Sequence, residues 1–152
     1  MSWLRMAGAI SLVGCGWCMG DAVCLQIKAH LDALRQTIAL LQEIEQEIAF
    51  RRADLNILAQ KLCREKKLVC AASAIQTALP PPDFSKQEAT CFTECFSGLG
   101  QAEAGQECTR LAFYQEQFRF FLHQQEEASQ SQCQLARKLG TALGLAVAIL
   151  LF

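Results

Sequence analysis

A run without charge opens the chain. The residues MAGAISLVGCGWCMG, at 6–20, follow Arg5 and end at Asp21, and mostly apolar residues continue to Ile27. With this extension the run is about twenty-two residues long, enough for a tilted helix across a bilayer. The pattern predicts an N-terminal transmembrane helix within residues 1–27.

A second run without charge closes the chain. It consists of LGTALGLAVAILLF, residues 139–152, and it follows the adjacent cations Arg137 and Lys138. As a helix this run is roughly 21 Å long, against about 30 Å for a hydrocarbon core, and cations that extend toward the interface add to its reach. The pattern predicts a C-terminal transmembrane helix within residues 135–152.

Between these runs, residues 28–134 show helical periodicity. Apolar residues recur every three or four positions in the first half, at Leu31, Leu34, Ile38, Leu41, Ile44 and Ile48. A second stripe, Leu111, Tyr114, Phe118, Phe121 and Leu122, belongs to a long helix predicted from near Gly105 to Lys138. Each stripe is typical of a helix that buries one face in a bundle.

Shorter helices are predicted between the two stripes. Asp54 is placed to cap a helix that runs through Leu62, and residues 68–79, LVCAASAIQTAL, predict an apolar helix that ends before three prolines. Ser85 with Glu88 has the spacing of a capping box, so a helix is predicted over 86–97 with glycines after it. No period-2 pattern is present, so the predicted fold is all-α: a helical bundle between N-terminal and C-terminal transmembrane helices.

Charge and motifs exclude several functions. The chain has 14 Lys and Arg against 15 Asp and Glu, which is not the basic balance of a nucleic-acid-binding protein. His30 and His123 are isolated, and no phosphate-binding loop is present. We therefore predict no catalytic residue, no cofactor, no metal and no small-molecule substrate.

Cysteine is abundant, with nine residues in the chain. Their odd number and their scatter over helices favour buried thiols in a reducing compartment, so all nine are expected to be reduced. Cys15 and Cys18 have C-x-x-C spacing but lack the βαβ context of a thiol oxidoreductase. Cys91 and Cys95 lie one helical turn apart, without the C-x-x-C pairs that are usual in structural zinc sites.

Small residues are spaced for helix packing in lipid. Gly16 with Gly20, and Gly140 with Gly144, each form G-x-x-x-G, and Gly8 lies nearby. Such spacing lets helix backbones approach closely within a membrane. The two terminal helices are therefore predicted to pair as a hairpin.

Cations predict the topology and one candidate surface. Arg137 and Lys138 lie on the bundle side of the C-terminal run, which places the bundle in the cytoplasm by the positive-inside rule. A basic cluster near predicted helix ends is a candidate docking surface for a partner protein; it consists of Arg51, Arg52, Arg64, Lys66 and Lys67.

The order of several segments resembles one family. These segments are LRQTIALLQEIEQEIAFRRADL at 34–55, FSGLGQAEAGQ at 96–106 and the ending RKLGTALGLAVAILLF. Together they resemble stage III sporulation protein AB, over essentially the whole chain. The high cysteine content departs from the usual pattern.

The resemblance implies a non-catalytic integral membrane scaffold of the channel complex between mother cell and forespore, required for endospore formation. Its bundle is expected to be similar to the cytoplasmic domains of type II secretion platform proteins. The implied partners are the stage III sporulation ATPase (protein AA), other channel components and membrane lipid. The implied location is the mother-cell membrane around the forespore.

One alternative stays open from the residues themselves. Leu12, Val13, Gly14 and Cys15 fit the pattern before the lipid-modified cysteine of bacterial lipoproteins. In that case the chain is a lipid-anchored extracytoplasmic helical bundle that acts in binding, and its thiols are expected to be oxidised.

Overall fold

The protein is mainly helical in the part described by this computed structural model, which covers residues 2–51, 54–72 and 74–151. The helices are α1 (Ser2–Arg51), α2 (Leu55–Arg64), α3 (Lys86–Ser97) and α4 (Ala104–Leu151), with a short 3₁₀ helix at Ile75–Thr77. α-Helix accounts for 82% of the described residues, and no strand is present among them. The all-α prediction is confirmed.

Two compact units divide these elements. Residues 32–123 form the bundle unit, and the residues before and after it form the arm unit, which contains the N-terminal part of α1 and the C-terminal part of α4. α1 and α4 each contribute residues to both units. No residue in 8–30 is a proline, so nothing interrupts the hydrogen-bond ladder of α1 there.

The core of the bundle unit forms along the two predicted stripes. On α1, Leu34, Leu41 and Ile44 are fully buried, and on α4, Leu111 and Phe118 are fully buried. The two short helices cover these stripes with a further set of buried side chains: Leu58, Leu62, Phe92, Cys95 and Phe96. Aromatic rings fill the space between α3 and α4, where the ring centroids of Phe84 and Phe118 are 5.9 Å apart. Burial of one stripe per helix is the packing that the periodicity predicted.

Capping residues begin the two short helices where they were predicted. The Asp54 carboxylate accepts a hydrogen bond of 3.0 Å from the Asn56 N–H at the start of α2. At the start of α3 the Ser85 N–H donates to Glu88 Oε2 at 2.7 Å, and the Glu88 N–H donates to Ser85 Oγ at 3.4 Å. This reciprocal pair satisfies donors that the first turn leaves open, and α3 spans residues 86–97 as predicted.

The helix predicted over residues 68–79 is wrong. Within this range the described residues form an antiparallel bridge between Cys70 and Ala78, with the 3₁₀ helix between them. The Thr77 hydroxyl donates to the Ala74 carbonyl at 2.7 Å and accepts from the Ala72 N–H at 3.0 Å. These side-chain bonds replace the helical ladder, as threonine often does in turns.

The terminal segments are helical, as predicted. Taken over the described residues, however, none of the helices combines the length and apolarity that a membrane crossing needs. The crossings predicted for residues 1–27 and 135–152 stay predictions.

Phe118→Ala is expected to lower the free energy of unfolding by about 3–5 kcal/mol, because it leaves a cavity in a fully closed part of the core. Phe120→Ala is the matched control, since that ring is on the same helix and 64% exposed. Urea unfolding of the full chain measures both. Equal losses in the two variants would contradict the described core.

Candidate functional site

The backbones of α1 and α4 meet in the arm unit at Gly16 and Gly140. A Cβ atom built on Gly16 would lie 2.5 Å from the Gly140 carbonyl oxygen, and one built on Gly140 would meet the Gly16 carbonyl oxygen equally closely. Gly144 is buried, and its Cα would lie 3.6 Å from the Cβ atom built on Gly16. Only glycine permits this approach, because any side chain would displace a backbone.

The contact continues along both helices in opposite directions. A Cβ atom on Gly20 would lie 3.0 Å from the Ala136 carbonyl oxygen and 3.3 Å from the Arg137 Cα. Each advance of four residues along α1 thus meets a retreat of about four along α4, which is the spacing of i±4 ridges. Gly8, by contrast, has open space where its Cβ would lie. Gly16, Gly20, Gly140 and Gly144 therefore belong to one helix contact, and Gly8 does not.

An ion pair lies next to this contact. Arg137 donates a hydrogen bond of 2.8 Å from its guanidinium to Asp21 Oδ1. Asp21 is the charge that interrupts the first apolar run, and Arg137 is one of the two predicted topology anchors. The second anchor, Lys138, lies exposed on α4. No sequence pattern indicates this pairing, because 116 residues separate its partners.

A disulfide joins the arms one turn further along. It links Cys24 and Cys133, whose Cα atoms are 5.3 Å apart. The expectation of nine reduced thiols is wrong at this pair, and the other seven cysteines are free. Neither cysteine forms a motif with its neighbours in sequence, so only the antiparallel register of α1 and α4 brings them together.

The outer faces of the arm unit carry exposed apolar side chains. On α1, Trp3 is 84% exposed and Met19 is 71% exposed; on α4, Ile149 is 74% exposed. The others of this set are Ile10, Trp17, Val23, Leu25, Leu135, Leu139, Leu143, Leu145 and Val147. An apolar surface of this extent marks a contact with another protein or with lipid.

The predicted basic cluster is only partly described. Arg52 lies outside the described residues, and only the backbone of Arg51 is described. Arg64 and Lys66 are exposed. Lys67 contacts Glu43 at 2.7 Å and Glu65 at 2.9 Å, and these hydrogen bonds raise the pKa of the Lys67 ammonium. Lys67 is therefore committed to pairs within the bundle unit, which leaves Arg64 and Lys66 as the open part of the cluster.

The free thiols have different environments. Cys15 and Cys18 are exposed, whereas Cys95 is buried. Burial raises the pKa of Cys95 to about 12, so this thiol stays protonated at neutral pH. Over the described residues, no group of three or more His, Cys, Asp or Glu side chains is placed to hold a metal ion.

The turn between α3 and α4 depends on two residues that no motif in the sequence singles out. Glu107 is buried, and its Oε1 accepts hydrogen bonds of 3.1 Å from the N–H groups of Gly100 and Ala102. Arg110 donates to the Cys95 carbonyl near the end of α3. The glycines at this turn were recognisable from the sequence, but the direction in which Glu107 and Arg110 reach back was not.

A family model matches the chain in a comparison with known proteins. The model is described as stage III sporulation protein AB, and it matches residues 5–72 and 68–152. No curated protein and no solved structure gives a significant match.

Gly16→Val is expected to weaken the pairing of the arms. Overpacking of a tight contact costs about 1–3 kcal/mol, so the equilibrium for closing the Cys24–Cys133 disulfide falls about tenfold. Gly14→Val is the matched control, because a Cβ at Gly14 meets nothing within 4 Å. The disulfide fraction is measured by thiol mapping in a fixed thiol–disulfide buffer. An unchanged fraction in the Gly16 variant would refute the described contact.

Proposed function

Because this chain belongs to the stage III sporulation protein AB family, we propose that it is a non-catalytic membrane scaffold of the channel complex between mother cell and forespore. The family has a role in stage III of sporulation, and it is one of structural or assembly proteins rather than a known enzyme family. In this proposal the arm unit anchors the chain in membrane lipid, and the bundle unit presents a surface to cytoplasmic partners.

The arm unit is the observation that carries the proposal. Its helices pack through glycine backbones and leave their large apolar side chains outward, where Trp17 is 61% and Leu143 is 64% exposed. This inversion, small residues inside and large apolar residues outside, is what helix pairs in lipid require, because lipid rather than water then covers the apolar side chains.

The ion pair supports the same assignment. A lone carboxylate or guanidinium is expensive in or near hydrocarbon, and polar groups there are found paired with one another. The Arg137 guanidinium lies 2.8 Å from the Asp21 carboxylate, so the charge that interrupts the first apolar run has a partner. The pair also agrees with the register of α1 against α4 that the glycine contact sets.

The bundle unit suits the role of an adaptor. Its core is closed by well-packed leucine and phenylalanine side chains, and α1 and α4 leave it as continuous helices toward the arms. A rigid bundle anchored in lipid passes on a displacement imposed by a partner. We propose that this partner is the secretion-type ATPase of stage III sporulation (protein AA), and that it contacts the open cations Arg64 and Lys66.

A second candidate function is favoured by the disulfide between Cys24 and Cys133. A structural disulfide is typical of oxidising compartments, which agrees with a lipid-anchored extracytoplasmic bundle that acts in binding. In that case cleavage before Cys15 and lipid attachment change the mass of the isolated protein. An intact mass that includes residues 2–14 would eliminate this candidate.

Replacement of Leu139 and Leu143 by lysine tests the anchor. Leu143→Lys costs about 3 kcal/mol toward the bilayer centre, and Leu139→Lys, beside the anchor cation Lys138, costs less, so the full chain is expected to leave the membrane fraction and spore yield to fall. The matched control is Gln130→Lys with Gln134→Lys, which has the same spacing on α4 and begins from exposed polar residues. Retention of the leucine variant in floated vesicles would contradict lipid anchoring.

Charge reversal of Arg64 and Lys66 tests the docking surface. Arg64→Glu with Lys66→Glu is expected to reduce co-purification of the sporulation ATPase about tenfold, because two contacts across the interface become repulsive. Lys86→Glu with Arg119→Glu changes the net charge equally at other positions on the bundle unit and serves as the control. Unchanged recovery of the ATPase would discard this surface and leave the anchor untouched.

A further inference from the structure

Two free thiols of the bundle unit lie in direct contact. The sulfur atoms of Cys63 and Cys70 are 3.2 Å apart, and both residues are half-buried against the core. We propose that Cys63 and Cys70 form a redox modification site, which closes to a reversible disulfide on exchange with a small-molecule disulfide. This site is separate from the disulfide of the arm unit and from the proposed anchor.

The end of α2 places Cys63. The Lys67 N–H donates to the Leu62 carbonyl at 3.0 Å, and the Lys66 N–H donates to the Cys63 carbonyl at 3.2 Å. This pair of bonds is the Schellman arrangement, which needs a left-handed residue after the helix. Lys66 takes that conformation with φ 58°, a position that glycine usually occupies. The chain therefore reverses sharply just after Cys63.

A bridge on the far side of the reversal holds Cys70. The Leu79 N–H donates to the Val69 carbonyl at 2.7 Å, and the Ala71 N–H donates to the Thr77 carbonyl at 3.0 Å. These bonds enclose the bridge between Cys70 and Ala78. Since the backbone is tied on both sides of the pair, the sulfurs meet as a consequence of the fold. A disulfide bond needs them only about 1 Å closer.

The chemistry is a thiol–disulfide exchange. The Cys63 thiolate attacks one sulfur of the small disulfide, whose S–S bond breaks and releases the first small thiolate. The Cys70 thiolate then attacks the mixed disulfide on Cys63, forms the Cys63–Cys70 bond and releases the second small thiolate. Two electrons pass from the protein to the small disulfide, and the protons of the two protein thiols end on the two small thiols.

Burial and the contact with Cys63 raise the pKa of Cys70 to about 12. Cys70 therefore rests protonated at neutral pH, and the exchange is expected to accelerate as pH rises because the thiolate is the nucleophile. Closure would change the loop between the two cysteines, which carries Arg64, Lys66 and Lys67. A covalent bond across its base would restrict this loop further.

Peptide mapping of the folded full chain tests the proposal, with oxidised glutathione as the small disulfide. Trypsin cleaves after Lys61, Arg64, Lys67 and Lys86, so Cys63 lies on the peptide 62–64 and Cys70 on 68–86. We expect these two peptides to appear joined as the main oxidised form of Cys63, and to separate on addition of a reductant. Separate glutathione adducts on both cysteines, or a different main partner for either, would overturn the proposal.

Two controls show that the fold selects the pair. In denaturant the preference for the joined peptides should fall to the level that the short sequence separation alone gives, and this comparison uses the unsubstituted chain. Cys70→Ser should leave Cys63 with a glutathione adduct, whereas Cys91→Ser, which changes a half-buried thiol on α3, should retain the joined peptides. Persistence of the same preference in denaturant would show proximity in sequence, rather than the fold, to be the cause and would refute the site.

Discussion

Contact between α1 and α4 is the constraint on which both units depend. In the arm unit the helices approach so closely that Gly16 and Gly140 have no room for a Cβ. In the bundle unit the same two helices are lined with large side chains, and Gln115 on α4 donates to Glu45 on α1 at 2.6 Å. The change from glycine to leucine and phenylalanine along each helix sets which surface is buried, and therefore which residues are left for partners or for lipid.

Polar groups in the arm unit show how two paired apolar helices accommodate a charged residue. Asp21 alone would interrupt the first apolar run, but Arg137 lies opposite it at 2.8 Å. Gly20 stands beside Asp21, and the space where its Cβ would lie is 3.3 Å from the Arg137 Cα, so the ion pair and the close approach occupy the same level of the helices. Cys24 and Cys133 then pair at the next turn. The three contacts follow from one register, since a shift of either helix by one residue would separate them all.

Local sequence was a good guide where short-range physics decides the structure. The helical stripes, the Asp54 cap and the Ser85–Glu88 capping box depend on spacing of three or four residues, and each was predicted correctly. Local sequence was a poor guide at residues 68–79, where composition favours a helix but the described residues form a bridge. There the burial of Leu68, Ile75 and Ala78 against the bundle outweighs helix propensity, which is a weak preference per residue.

By itself the sequence determined the helical class, the two apolar ends, the glycine spacing and the resemblance to a sporulation family that the family comparison bears out. Those features depend on composition and on distances of a few residues along the chain. Only the tertiary structure decided that Asp21 meets Arg137, that Cys24 meets Cys133 and that the sulfurs of Cys63 and Cys70 touch. The first two pairs depend on the register of helices more than 100 residues apart in sequence, and the third on a left-handed lysine that no local preference favours.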